Sequence, residues 1–367
     1  MQLKKRPRVG IIGGGIFGLS CALNLDKTHD VTVFEQGADI LGGATYANHN
    51  RHHYGFHYPR SDETARQCLE SRADFEEIYG ESCHWDFANY YCVAREDSKT
   101  TPEDYLRFCQ RMGLEFREEW PADGVLDKSK IALCLRVREG IYDFYILKRL
   151  VEQRIAAAST LEIKLRHKVL NGRLESTDEK TLVVENGEGT SEFRFDFVIN
   201  AMYANYNRFC EWFNFEKKLF QFNLQELDII ELPVKQRLGI TIQDGPFSSF
   251  LPLGHTNQYL LAHVEASQLV RDIQPATTPL LHRVSYVESN WQQIQETCSG
   301  HIPLLKQAKY IRSIFVDRVV DGTRLDEDAR LTEITDHGSG CWSVFAAKII
   351  TCETMGQKVA ARIRGQT

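Results

Sequence analysis

The stretch between residues 48 and 60 is the part of the sequence best suited to carry chemistry. Its thirteen residues include four histidines, two arginines and three aromatic residues. An imidazole takes up or releases a proton near neutral pH, and a guanidinium group pairs with a carboxylate or phosphate. This composition predicts a site that binds a small anion and moves a proton.

The spacing of this stretch allows two backbone conformations. His49, His53 and His57 are four residues apart, which on a helix would form a metal-binding face. Gly55 and Pro59 favour an extended chain instead, and no metal site is predicted. Since side chains alternate along a strand, one face would carry Arg51, His53, Gly55 and His57 and the other His52, Tyr54, Phe56 and Tyr58. Purely structural, hydrogen-bonded histidines are an alternative for each imidazole.

Catalytic and substrate-binding roles follow from these residue types. His53 or His57 is predicted to act as the base for a hydroxyl substrate, whereas an amine that enters neutral needs no base. The predicted substrate-binding residues are Arg51, Tyr54, Tyr58, Arg60 and Arg318. Guanidinium groups in this set would clamp a carboxylate or phosphate.

A glycine-rich turn near the N-terminus would bring a cofactor to this site. An apolar run at 9–12 leads into Gly13-Gly14-Gly15-Ile16-Phe17-Gly18, then a helix, a second strand at 31–34, and Glu35. This order is typical of a dinucleotide-binding βαβ unit. The helix N-terminus would face the pyrophosphate, and Glu35 would accept hydrogen bonds from ribose hydroxyls. The same carboxylate would repel a 2′-phosphate, so NADP is disfavoured.

Two further segments favour FAD over a nicotinamide cofactor. Gly42-Gly43-Ala44-Thr45 follows soon after Glu35 and allows a second approach to the pyrophosphate. Near the C-terminus, Lys348 and the helix at 352–364 would stabilise negative charge on a reduced flavin, with Lys348 a further predicted catalytic residue. The residues predicted to contact FAD are Gly13, Gly15, Ile16, Phe17, Gly18, Glu35, Gln36, Gly42, Gly43, Ala44, Thr45, Val169, Ala201, Lys348, Ile349, Ile350 and Thr351.

Composition excludes several classes of function. The net charge of −6 gives no general attraction to nucleic acid or to an anionic membrane, and no apolar run of eighteen residues exists. Residues 1–8 are basic, but the three glycines that follow argue against a signal peptide. The ten cysteines form no C-x-x-C pair. This pattern predicts reduced, mostly buried thiols and a cytoplasmic protein.

Alternating element types predict an α/β protein of two domains. A Rossmann-like FAD-binding domain is predicted from 1–80, 140–205 and 325–367. A discontinuous α+β substrate domain with a mixed or antiparallel sheet would comprise 81–139 and 206–324. Helices are predicted at 62–79, 101–112, 146–158, 284–297 and 352–364, and strands include 161–170, 195–200 and 341–347.

Three motifs together resemble those of the D-amino-acid-oxidase-like superfamily of FAD-dependent oxidoreductases: the N-terminal glycines with Glu35, the 42–45 segment, and Gly140-Ile141-Tyr142-Asp143. Within this superfamily, the segment from Gly55 to Cys68 is similar to the corresponding segment of L-2-hydroxyglutarate oxidases. The 347–351 segment resembles the Gly-Gly-Lys-x-Thr-Thr segment of FAD-dependent glycerol-3-phosphate dehydrogenases. Ala346 and Ala347 replace that family's glycines, and 51–60 matches the substrate residues of neither group. Neither substrate therefore carries over.

This resemblance implies extended FAD along the nucleotide domain and a mixed sheet over the flavin ring. It implies hydride transfer to flavin N5 from a carbon that bears an amine or hydroxyl in a small, anionic substrate. Oxygen, a quinone or a carrier protein would be the electron acceptor. A non-redox sugar isomerase or mutase and a catalytically inactive flavoprotein-fold partner are the alternatives, and covalent attachment of FAD through a histidine stays open.

Overall fold

A computed structural model describes residues 5–284, 286–345 and 348–366. Its α-helices are α1 (Ile16–Leu25), α2 (Asp62–Tyr79), α3 (Pro102–Arg111), α4 (Phe144–Ala157), α5 (Tyr206–Phe213), α6 (Trp291–Ser299) and α7 (Cys352–Arg364).

The strands, in chain order, are β1 (Arg8–Ile12), β2 (Asp30–Glu35), β3 (Arg51–His52), β4 (Cys83–His84), β5 (Ala88–Ala94), β6 (Phe116–Glu118), β7 (Ile131–Val137), β8 (Gly140–Tyr142), β9 (Leu161–Leu165), β10 (Lys168–Leu174), β11 (Lys180–Asn186), β12 (Gly189–Phe195), β13 (Phe197–Asn200), β14 (Phe220–Glu231), β15 (Leu238–Gln243), β16 (Ser248–Pro252), β17 (Gln258–His263), β18 (Gln268–Gln274), β19 (Lys309–Asp321), β20 (Glu333–Gly338) and β21 (Cys341–Phe345).

The nucleotide-binding part is built on a six-stranded sheet with the order β20-β21-β13-β1-β2-β9. Its pairs are parallel except for β20 with β21. The central strand β1 is buried on both faces, as expected for a parallel sheet covered by helices. α1 and α7 pack closely, since a side-chain carbon on Gly356 would lie 2.7 Å from the carbonyl oxygen of Ser20. The predicted α/β fold class with a Rossmann-like unit is confirmed.

A nine-stranded sheet forms the second large layer. β5, β6 and β7 come from one predicted insert, and β14 to β19 come from the other. The two groups join through the parallel pair β5 and β15, while the neighbouring pairs are antiparallel, so the sheet is mixed. The domain bounds themselves stay a prediction.

Two small sheets complete the strand pairing, β10-β11-β12 and β3-β8-β4. In the second of these, Arg51 lies opposite Ile141. This pairing ties the start of the histidine-rich stretch to the segment that re-enters the nucleotide-binding part.

Several elements match their sequence-based bounds, and others differ for identifiable reasons. α2 and α7 begin and end as predicted, and Ser61 accepts a hydrogen bond from the Thr64 amide at the start of α2. The predicted strand 161–170 is two strands, because Arg166 adopts a positive φ of 56° between them. The predicted helix 284–297 begins only at Trp291. β12 was not predicted because most of its residues are exposed and polar.

The strand predicted at 341–347 ends at Phe345 among the described residues, and Ala346 and Ala347 lie outside them. All ten cysteines are buried and free, as expected from their apolar contexts. Within the described ranges, no helix combines the length and apolar character required to cross a membrane.

Candidate active site

One cavity of about 550 Å³ is lined by residues of both large sheets. Ile12 and Phe34 contribute from the six-stranded sheet, and Gln225 and Arg318 from the nine-stranded sheet. The predicted cofactor turn and the histidine-rich stretch therefore open into the same space.

The N-terminal glycines form a cradle at one end of this cavity. Gly13 has a φ of +113°, and a side-chain carbon there would lie 2.6 Å from the carbonyl oxygen of Ala201. At Gly15, the one atom of the described residues within 4 Å of the added carbon is Thr45 Oγ1, at 3.6 Å, so the surroundings leave room for a ligand. Gly18 does not line the cavity; its missing side chain allows α1 to pack against the Gly13 backbone. The cradle fits a pyrophosphate at the N-terminus of α1.

The predicted cofactor residues mostly lie along this wall. Those that line the cavity are Gly13, Gly15, Ile16, Phe17, Glu35, Gln36, Gly42, Gly43, Ala44, Thr45, Val169, Ala201, Lys348 and Ile349. Ile350 and Thr351 are buried outside the lining, so the structure does not bring them to the cofactor space.

Glu35 is held at the end of β2 by two backbone amides. Its carboxylate accepts hydrogen bonds from Gly14 N at 2.8 Å and Gly37 N at 2.7 Å. Each carboxylate oxygen has further lone pairs for a ribose hydroxyl. The geometry suits the ribose role predicted for Glu35.

The histidine-rich stretch is not the extended chain predicted from its composition. Only Arg51–His52 is strand, and Gly55 adopts a φ of +101°. Tyr58 N donates to the Gly55 carbonyl at 3.1 Å, which makes a turn. The predicted alternation is therefore wrong beyond His53, and Tyr58 lies beside His53 and His57, with ring centres 5.6 and 5.3 Å away.

Six of the predicted substrate and catalytic residues line the cavity, and Arg51 and Tyr58 are two of them. His53, His57, Arg318 and Lys348 all line it. The Lys348 ammonium lies 4.7 Å from the centre of the Tyr58 ring. The structure adds lining residues that the sequence analysis missed as site residues: His49, Tyr203, Gln225, Ser249 and Arg330. The four-residue spacing of His49 from His53 was the only sequence signal for this set.

Burial sets the protonation of this cluster. The pKa of His57 is well below its usual value because the ring is buried, and the charges of Arg51 and Lys348 lower it further. The pKa values of His49 and His53 are lowered by burial in the same way. All three imidazoles are therefore neutral at neutral pH, which is the form able to accept a proton. Burial also lowers the pKa of Lys348 to about 7.

Several buried polar atoms of the lining have no hydrogen-bond partner among the described residues. These atoms are His49 Nε2, His53 Nδ1, His57 Nδ1, Tyr58 OH and Asn205 Oδ1. Buried polar groups in folded proteins are almost always satisfied. A bound cofactor and substrate would supply the missing partners.

Arg51 lines the cavity but is already paired. Its guanidinium donates to Glu139 Oε2 at 3.3 Å, to Thr241 Oγ1 at 2.9 Å, and to the Tyr91 hydroxyl. Glu139 Oε1 also accepts from Tyr54 N at 2.7 Å. Because its charge is neutralised by Glu139, Arg51 is a poor anion clamp, contrary to the sequence-based prediction. No sequence signal marked Glu139 as its partner.

Arg60 and Tyr54 lie outside the cavity lining, so their predicted substrate roles are corrected. The Arg60 guanidinium pairs with the Asp244 carboxylate at 2.9 Å, and Tyr54 OH donates to Glu76 at 2.7 Å. Because of the turn at Gly55, the side chains of Tyr54 and Arg60 do not share a face with those of His53 and His57.

Glu139→Gln is expected to destabilise the protein strongly. The Arg51 and Glu139 side chains are 2% and 0% exposed, so the substitution leaves a buried charge without its counterion. Breaking such a pair costs roughly 3–5 kcal/mol in the free energy of unfolding. Urea unfolding of the FAD-loaded protein measures this change.

Glu119→Gln is the matched control. Glu119 pairs with Arg136 at 3.1 Å but is 31% exposed, and such pairs contribute about 1 kcal/mol or less. Equal destabilisation by the two substitutions would contradict the structural role assigned to Glu139.

Comparison with known proteins gives the family. Residues 8–214 match the family model DAO, FAD dependent oxidoreductase. FAD-dependent monooxygenase FPY4 of Fusarium mangiferae is 28% identical over 71% of this chain and 65% of its own length. FAD-dependent monooxygenase kojA of Aspergillus flavus is 27% identical over 72% of this chain and 63% of its own length. The match thus spans slightly less than two thirds of these relatives.

Solved structures agree on the fold. Glycine oxidase from Geobacillus kaustophilus superposes with a TM-score of 0.75 at 15% identity, over 99% of this chain and 95% of that one. L-proline dehydrogenase from P. horikoshii superposes with a TM-score of 0.73 at 14% identity, over 100% of this chain and 95% of that one. The amino acid oxidase NikD superposes with a TM-score of 0.74 at 14% identity, over 99% of this chain and 95% of that one.

At such identities these structures establish the fold alone. The similarity to L-2-hydroxyglutarate oxidases and glycerol-3-phosphate dehydrogenases stays a prediction. The family model, in contrast, covers more than half of the sequence and includes the glycine cradle and Glu35. The chain therefore belongs to the DAO family of FAD-dependent oxidoreductases, with FAD as its cofactor.

Proposed function

We propose that this protein oxidises a small anionic molecule at a carbon that bears an amine or hydroxyl group. One observation carries the proposal: the glycine cradle, neutral imidazoles and two cationic side chains face a single cavity. FAD, when bound, supplies the two-electron acceptor.

Arg318 is the best candidate for binding the substrate anion. It lines the cavity, and the described residues give it no ion pair or hydrogen bond. Lys348 adds a second positive charge whenever it is protonated. A guanidinium group free of protein partners can form two parallel hydrogen bonds with a carboxylate or phosphate.

His57 and His53 are the candidates for the base. Burial lowers the pKa of both rings, so both are neutral, and neither Nδ1 makes a hydrogen bond among the described residues. A hydroxyl substrate has to lose its proton as it is oxidised, and a positioned imidazole typically contributes a factor of about 10²–10⁴ to such a step.

Anion binding is expected to weaken as pH rises from 6 to 8. Lys348 has a pKa of about 7 in the unliganded protein, and a bound anion raises it. Above that pKa, binding requires uptake of a proton, so affinity falls by up to about tenfold per pH unit. Titration of the FAD-loaded protein with acetate, followed by the flavin absorption, measures this dependence.

Lys348→Met should bind acetate more weakly and with little dependence on pH over the same range. Affinity in the parent protein that does not change between pH 6 and 8 would remove Lys348 from anion binding.

Monooxygenation is a second candidate, because the curated relatives carry that name at 27–28% identity. Turnover under ¹⁸O₂ separates the two reactions. Label in the organic product would favour monooxygenation, and its absence from a dehydrogenated product would favour simple oxidation.

A single anaerobic turnover tests the proposed function. The FAD-loaded protein is mixed with a set of small hydroxy and amino anions, and mass spectrometry identifies any product. We expect one carbonyl or imine product for each FAD reduced. A protein that holds FAD but forms none with any of these anions contradicts the proposal and favours the isomerase or inactive alternatives. The electron acceptor and the cytoplasmic location stay predictions.

A further inference from the structure

The acidic groups of the cavity are already engaged. Among the described lining residues, the carboxylates are those of Glu35 and Asp317. Glu35 is bonded to two amides at the ribose end, and Asp317 accepts from Leu280 N at 2.8 Å and Leu281 N at 3.0 Å. A substrate ammonium would therefore have to share a carboxylate that already accepts backbone amide hydrogen bonds.

The charges around the imidazoles also oppose an ammonium. Beyond the effect of burial, the charges of Arg330 and Arg318 lower the pKa of Lys348, and those of Lys348 and Arg330 lower the pKa of His57. The guanidinium group of Arg330 pairs with the Asp328 carboxylate at 2.8 Å, so that carboxylate is not free to pair with a substrate ammonium. An amino acid would therefore place its positive group among cations.

The nine-stranded sheet offers uncharged hydrogen-bonding groups instead. Thr241 Oγ1 accepts a hydrogen bond from Arg51, a residue of the cavity lining. Ser249 on β16 lies directly opposite Thr241 on β15, so the two side chains project from the same face of the sheet. Gln225 lies opposite Val316, two residues along β19 from Arg318. Ser249 and Gln225 line the cavity, Gln225 is 7% exposed, and neither side chain makes a hydrogen bond among the described residues.

From these groups we infer that the substrate is a hydroxylated anion, such as a polyhydroxy carboxylate or polyol phosphate, oxidised at a CH–OH carbon. This inference rests on the proposed function and narrows it. Arg318 and Lys348 hold the anion, while Gln225 and Ser249 bind hydroxyl groups. The serine hydroxyl and the glutamine amide each donate and accept hydrogen bonds, which matches a hydroxyl group.

The unpaired imidazoles fit this chemistry. Oxidation of the alcohol breaks one C–H and one O–H bond and forms a C=O bond. FAD, when bound, would accept two electrons and the carbon-bound hydrogen, and the imidazole of His57 or His53 would take the hydroxyl proton. A neutral amine could be oxidised without that base, so the buried cluster of neutral rings is better explained by an alcohol.

Matched probes test the inference by binding as well as by turnover. Tartrate, succinate and aspartate share a four-carbon dicarboxylate skeleton. Tartrate adds hydroxyl groups to it, aspartate adds an ammonium group, and succinate carries neither. Glycerol 3-phosphate, propyl phosphate and phosphoethanolamine form the phosphate set. Calorimetry with oxidised, FAD-loaded protein measures affinity, and anaerobic bleaching measures reduction.

We expect the hydroxylated member of at least one set to bind about tenfold more tightly than its plain analogue, because it gains hydrogen bonds to Gln225 and Ser249. The ammonium member should bind most weakly. Gln225→Leu combined with Ser249→Ala should abolish the preference for hydroxyls, whereas Gln293→Leu on the exposed side of α6 should preserve it.

Three binding results would overturn the inference: equal affinity for hydroxylated and plain anions in both sets, tightest binding of an ammonium probe, or a preference that survives the double substitution. Reduction of FAD by amino anions alone would leave the proposed function standing while refuting the hydroxyl inference. Preferential binding of hydroxylated anions with no reduction by any probe would refute the proposed function while leaving the recognition of hydroxyls intact.

Discussion

Gly18→Ala is expected to abolish FAD binding. The added side-chain carbon would lie far inside van der Waals contact with the carbonyl oxygen of Gly13, which belongs to the backbone. Gly13 cannot move away, because a side-chain carbon at Gly13 would itself lie only 2.6 Å from the Ala201 oxygen, and its φ is +113°. The N-terminus of α1 would be displaced from the cradle. The FAD released per chain on denaturation measures the loss.

Gly80→Ala is the matched control. Gly80 follows α2 with a φ of −57°, and an added carbon would meet nothing within 4 Å among the described residues. This variant should retain FAD at the parent level. Circular dichroism of Gly18→Ala separates loss of cofactor from loss of fold. Retention of one FAD per chain in Gly18→Ala would contradict the cradle geometry.

His57→Ala is expected to slow FAD reduction by a factor of about 10²–10⁴. The ring lies at the cavity, is neutral because burial lowers its pKa, and has an unpaired Nδ1 among the described residues. Removing it deprives the substrate hydroxyl of its proton acceptor. Stopped-flow absorption under anaerobic conditions measures the rate.

His255→Ala provides the control, since His255 is exposed and outside the cavity lining. It should reduce FAD at the parent rate. His53→Ala in the same assay decides between the two candidate bases. Parent-like reduction rates in both cavity variants would exclude an imidazole base and favour an amine substrate that enters neutral.

The cofactor end of the site could be predicted because its determinants are local. Gly13, Gly15, Gly18 and Glu35 fall within one βαβ unit, where spacing alone fixes their relation to the pyrophosphate and ribose. α7 was predictable for the same reason, since its apolar stripe and its bounds lie within a single helix.

The substrate end could be predicted only in part. Arg51, Arg60 and Arg318 look equivalent in sequence, yet Glu139 neutralises the first and Asp244 holds the second. These partners are 88 and 184 residues away along the chain. No local pattern indicates which arginine stays free, because contacts between residues far apart in the sequence decide it.

The turn at Gly55 shows a second limit. Composition favoured an extended chain, but tertiary packing placed Gly55 against α2, where a side-chain carbon would lie 3.1 Å from Ala65 Cβ. The close approach and the positive φ depend on a helix that follows in sequence. Likewise, Gln225 and Ser249 gave no signal, because their common face is set by the register of β14 to β17.

The central claim is that the FAD cradle and the His–Arg–Lys cluster form one oxidation site. The visible absorption spectrum of the purified protein, before and after anaerobic addition of a hydroxylated anion, tests it most directly. We predict flavin bands that bleach on addition and return with an electron acceptor. Flavin bands that no small anion alters, in position or in intensity, would contradict the claim.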